Sequence, residues 1–151
     1  MTAALPLADT LSGDHAPTPS PAVAAEAAVL DERALAQLQQ LDPQGQSGIV
    51  RRVLQTYQRS LERFVLDVDR ARAAADHPAL ARLTHTLRSS SASVGALQLS
   101  VLCKRIETGI RDHQLDDLPI LLDALRVESG RVQTALAAIL IDPGHVPPTD
   151  P

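Results

Sequence analysis

Aromatic side chains are almost absent from this chain of 151 residues: it has no tryptophan, and Tyr57 and Phe64 are its single tyrosine and phenylalanine. Strands usually draw on Val, Ile, Tyr, Phe and Trp, whereas Ala, Leu, Gln and Arg, which dominate here, are helix formers. The scarcity therefore excludes an all-β reading and makes the core, drawn from a 44% hydrophobic composition, an aliphatic one. It also removes the stacking groups that nucleic-acid binding relies on. Cysteine is equally scarce: Cys103 alone allows neither an intramolecular disulfide nor a cysteine-based zinc site. No apolar run reaches the ~18 residues of a membrane span, so no membrane association is expected. No basic residue precedes the first apolar stretch, which argues against a secretory signal and points to a cytoplasmic protein.

The body also lacks any marked excess of acid or base. The formal net charge is −4, but residues 31–141 hold 14 basic and 13 acidic side chains, and the other five acids lie in the two ends. A near-neutral body again disfavours a nucleic-acid partner.

Eight of the 11 prolines sit in those same ends. Residues 1–29 and 142–151 combine Pro with Ala, Ser, Thr and Asp without a sustained period, and are expected to be disordered arms. Between them, over 30–141, five helical patterns follow one another: Asp31 to about Leu41, Ser47 or a neighbour to about Ala75, Asp76 to about Val94, a fourth to about Asp112, and a last one opened by Asp116 or Asp117. The second carries an apolar set, Val50, Val53, Leu54, Tyr57, Leu61, Phe64, Val68 and Ala71, in three- and four-residue steps. Short connections between long amphipathic helices imply an all-α fold, an antiparallel up-and-down four-helix bundle with an additional short N-terminal helix.

The informative segment is the third helix. At about 100° per residue, Leu80, Leu83, Thr84, Leu87, Ser91 and Val94 cluster within about 40° of one direction and form its core face. His85 lies about 140° from the centre of that face, so its imidazole projects outward. Its helical neighbours are Ala81, Arg88, Ser89 and Ala92, three of them small, which leaves the ring on a low surface beside one cation. A neutral imidazole is a good nucleophile near neutral pH. No carboxylate lies at i±3 or i±4 to serve as a base, and His77 is too far around the helix to share a metal. What remains is a nucleophile that takes a group from a partner which brings the rest of the machinery; a solvated, functionless surface histidine is the competing reading.

His85-Thr86-Leu87-Arg88-Ser89-Ser90-Ser91, followed by Val94-Gly95-Ala96, resembles the signature of histidine-containing phosphotransfer (HPt) domains, His-x-Leu-Lys-Gly-Ser-Ser and then Gly-Ala. The resemblance spans roughly residues 31–140 and takes in Leu30-Asp31, Asp76, Leu102-Cys103, and Glu107 with Arg111 as a Glu-x-x-x-Arg pattern. It implies a four-helix bundle with a short extra helix. It also implies a phosphocarrier that is not itself an enzyme, whose histidine, at Nε2, accepts a phosphoryl group from the aspartate of a receiver domain or from a kinase and passes it to another receiver. The partners implied are receiver domains of response regulators or hybrid histidine kinases. The chain then needs no cofactor, the Mg²⁺ belonging to the receiver, and is expected to be a monomer. In this resemblance His85 is the phosphorylated residue and Arg88, standing where the family has lysine, supports the phosphoryl charge. Glu107 orients the imidazole or, alternatively, is a rim carboxylate paired with Lys104 or Arg111. Ala81, Arg82, Ser89, Ala92 and Lys104 form the docking surface. Ser89 departs from the family's glycine by a hydroxymethyl group. Thr84 is expected to satisfy a backbone carbonyl, Ser90 and Ser91 to be small at helix contacts, Gly95 to allow a close turn, and Cys103 to be packed and inert.

Two other readings stand beside this one. A helical adaptor or dimerisation bundle would make His85 incidental, though it gives no reason for small residues around an exposed ring. A sensor-kinase phosphoacceptor domain would usually follow its histidine with an acidic residue, and here Thr86 follows.

Overall fold

The computed structural model describes residues 29–141, and within them five helices and no strand. They are α1 (Glu32–Gln39), α2 (Ile49–Ala73), α3 (His77–Ser93), α4 (Leu97–Arg111) and α5 (Leu118–Ile141). α2 packs on α3, α3 on α4, α4 on α5, and α5 closes back on α2. Four helices joined in sequence and closed first to last make the expected up-and-down bundle. The expected arms at 1–28 and 142–151 lie outside the described residues. Val29, assigned to the N-terminal arm from sequence, is instead 4% exposed and belongs to the core together with Leu30. An apolar Val-Leu pair ahead of a capping aspartate has a seat to fill, and both side chains are buried in it.

The core is aliphatic, built on Leu54, Leu61, Leu80, Leu99, Ile106, Leu125, Val132 and Leu136. Tyr57 and Phe64 are buried too, and the Tyr57 hydroxyl shares a 2.7 Å hydrogen bond with Ser91 Oγ. Ser91 is thus more than a small contact residue, since it satisfies the polar end of the tyrosine. Val53 departs from the expected stripe and is exposed. At this level of α2 the core takes the neighbouring Leu54 instead, which is 2% exposed.

Aspartates start two helices as read from sequence: Asp31 Oδ1 accepts from Arg33 N–H and Asp76 Oδ1 from Ala79 N–H, at 3.1 and 3.0 Å. α2 differs. Gly48, at φ 63°, is its N-cap and supplies no side-chain bond, while Ser47 N–H donates instead to Asp42 Oδ2.

The ends of α2, α3 and α4 share one geometry. Asp76 N–H reaches Ala71 O, Ala96 N–H reaches Ser91 O, and Gln114 N–H reaches Gly109 O, around left-handed Ala75, Gly95 and His113. Gly95 does more than close the α3–α4 turn. Its carbonyl accepts from Asp31 N–H at 2.8 Å, and a Cβ on it would lie 2.9 Å from that same nitrogen. The start of α1 is therefore clasped to this turn.

Candidate functional site

Capped by Asp76 and carrying Pro78 in its first turn, α3 presents its core face through Leu80, Thr84, Leu87 and Ser91. Thr84 Oγ1 donates to Leu80 O at 2.8 Å, the backbone role expected of it. The opposite side carries His85, whose side chain is 63% exposed. Ala81 is half-buried, and Arg82, Ser89 and Ala92 are exposed around it. Ser89 turns its hydroxyl back to Thr86 O at 3.3 Å, so its extra atoms lie along their own helix.

α4 supplies the partner that helical spacing within α3 lacked. Glu107, 21% exposed, accepts from His85 Nδ1 through Oε1 at 2.9 Å and from Arg88 Nη1 through Oε2 at 3.1 Å. A carboxylate at neutral pH only accepts, so Nδ1 carries the ring proton and the lone pair stands on Nε2. Nε2 has no hydrogen-bond partner among the described residues. The alternative in which Glu107 pairs with Lys104 or Arg111 does not occur: Arg111 Nε binds Asp112, and Lys104 is exposed with no ion pair among the described residues. Arg88, expected to support the phosphoryl charge, is half-buried and spends one guanidinium nitrogen on Glu107. A guanidinium has five N–H donors, and that single bond leaves others unused.

α3 and α4 meet closely enough for Ser100 Oγ to donate to the Arg88 carbonyl at 2.9 Å. This contact fixes the rotation of α4 that brings Glu107 under the ring. Cys103, one turn before Glu107, is fully buried, and burial pushes its thiol up to about 12, an inert group as expected. Among the described residues no group of three or more His, Cys, Asp or Glu side chains is placed to hold a metal. No helix among them is long and apolar enough to cross a membrane.

Among the described residues the helical bundle displays an oriented, solvent-facing histidine with no enclosing cleft over it, and this defines a class of protein whose candidate group is accessible to another macromolecule. The chain belongs to the Hpt domain family, whose model matches residues 52–140. It is similar to the crystal structure of histidine-containing phosphotransfer protein B from Pseudomonas aeruginosa PAO1. The identity is 26% and the TM-score 0.67, over 75% of this chain and 95% of that one. No curated protein matches the chain significantly.

Proposed function

We propose that this protein is a phosphocarrier of a two-component phosphorelay, with His85 as the residue that holds the phosphoryl group between receiver domains. The observation that carries the reading is the ring itself: exposed, held at Nδ1 by Glu107, and bare at Nε2. In the transfer, the Nε2 lone pair forms a P–N bond as the acyl P–O bond of a receiver's aspartyl phosphate breaks, and the aspartate leaves as a carboxylate. The ring becomes cationic, with its proton still on Nδ1, and the Glu107 carboxylate stabilises that charge as it develops. Free N–H groups of Arg88 lie one helical turn away for the phosphoryl oxygens, in the positioning role that phosphoryl transfer requires. Return to a second receiver reverses the same bond changes.

In this reading the chain is no enzyme and needs no cofactor of its own; Mg²⁺ and most of the catalysis sit on the receiver. It works as a monomer in the cytoplasm. The similarity to a histidine-containing phosphotransfer protein supports the same assignment. Mixing the purified chain with phosphorylated receiver domains tests it: acid-labile label appears on the native protein and is absent from His85→Gln. No label from any of a broad panel of receivers returns the adaptor reading.

A further inference from the structure

His85 sits on a crest with two unlike flanks. At about 100° per residue, Arg88 lies about 60° to one side of it, and Arg82 and Thr86 lie about 60° and 100° to the other. The Arg88 side is closed by the Glu107 ion pair to α4. The Arg82 side opens into a groove of about 800 Å³ between α2 and α3, floored by Phe64 and Leu83. Arg59, Arg63 and Arg82 line it, all exposed and none of them ion-paired among the described residues. Its fourth arginine, Arg70, is tied to Asp67 at 3.3 Å, and the other carboxylate of the lining, Asp76, caps α3. Three uncommitted guanidinium groups converge on one concavity beside the reactive ring.

Resting on the phosphocarrier reading, we propose that this groove is the anion-accepting half of the docking surface. Its occupant is a protruding, carboxylate-bearing edge of the receiver domain whose phosphoaspartate meets His85. The complementarity is specific to the chemistry: guanidinium forks match carboxylates in two-point contacts. The groove's size suits a projecting side-chain cluster and not a whole domain, while the phosphoryl group stays above Nε2. Unpaired cations beside a site raise the encounter rate with an acidic partner, and they do so most at low salt. The footprint expected from sequence, Ala81, Arg82, Ser89, Ala92 and Lys104, is thereby extended onto α2 through Arg59 and Arg63.

The test compares three chains, native, Arg59→Glu with Arg63→Glu, and Lys104→Glu. The donor is the receiver that labels the native chain fastest, with phosphoramidate as a second, small donor that needs no docking. The groove variant is expected to lose about tenfold or more of the receiver-dependent rate at low salt, the deficit shrinking as salt rises. Its phosphoramidate labelling should match the native chain. A receiver-dependent rate within about twofold of native at low salt overturns the proposal, since charges at a real docking site alter association well beyond that. So does an equal loss from both donors, which would mean that the His85 site itself had been disturbed. A larger loss in Lys104→Glu than in the groove variant places the docking over α4 and overturns it as well. No label on the native chain from either donor removes the phosphocarrier reading along with this one.

Discussion

His85 combines two properties that usually exclude each other, exposure to solvent and a fixed ring orientation. Glu107 reconciles them by gripping Nδ1 and leaving Nε2, the nitrogen proposed to react, uncovered, from a helix already locked to α3 through Ser100 and Arg88. Arg88 in turn holds the second oxygen of Glu107, so the carboxylate is anchored on one side while it orients the ring on the other. Glu107→Ala should slow receiver-dependent labelling on the order of tenfold to a hundredfold, the range seen when the carboxylate that orients a metal-bound histidine is lost. Glu107→Gln, which keeps an acceptor but loses the charge, should fall between that variant and the native chain. Single-turnover transfer, with helix content checked by circular dichroism, distinguishes these outcomes from unfolding. The outward direction of His85 was legible in sequence because it follows from the periodicity of one helix. The choice between Glu107 on the ring and Glu107 on Lys104 or Arg111 was not. It depends on the rotation of α4 against α3, and Lys104 and Arg111 both lie within helical reach of Glu107 along α4 itself.

Among the elements, α3 is the least natural helix. Serine and threonine fill its C-terminal half, and Thr86, Ser89, Ser90 and Ser93 each return a hydroxyl to a carbonyl three or four residues back. Residues of that kind favour caps and turns over helix interiors, so packing against α2 and α4 sustains the helix. The three left-handed helix ends give a matched comparison. At Gly95 a side chain meets both the φ of 85° and the Asp31 backbone, so Gly95→Ala should lower stability by more than the ~1–2 kcal/mol of the dihedral alone. Ala75 already bears a left-handed φ of 49°, and Ala75→Gly should be neutral to stabilising by up to about 1 kcal/mol. Denaturant midpoints of the two variants should therefore move in opposite directions or, for Ala75→Gly, not at all. The helices, their order and the caps at Asp31 and Asp76 could be read from apolar spacing, helix-start residues and proline positions. The clasp between Asp31 and Gly95 could not, because it joins residues 64 apart through backbone atoms, which carry no sequence signal.

For the molecule as a whole, the thin supply of polar groups in the core sets its response to alkali. Burial pushes the Tyr57 hydroxyl and the Cys103 thiol each up to about 12, above their ordinary 10.0 and 9.0. Between those values the unfolded chain has released protons that the folded one retains, so stability is full below about pH 9 and declines as pH rises toward 12. The readout is unusually clean. Lys104 is the chain's single lysine and is exposed. Melting temperature followed from pH 8 to 11 should fall progressively in the native chain, and Tyr57→Phe should flatten the upper part of the curve. The aliphatic character of this core was evident from composition, and the inward places of Tyr57 and Cys103 from helical spacing; that Glu128 is buried with them is seen only in the closed bundle. The clasp at Gly95 also decides how the domain is to be cut and grafted. A chimera joined at residue 52, where the family match begins, would discard Val29, Leu30 and Asp31 and leave their hydrophobic seat open to water. Joined ahead of Val29, a fusion partner would be tethered at the far tip of α3, about 15 Å along the helix from His85, and the approach proposed for a receiver would stay clear.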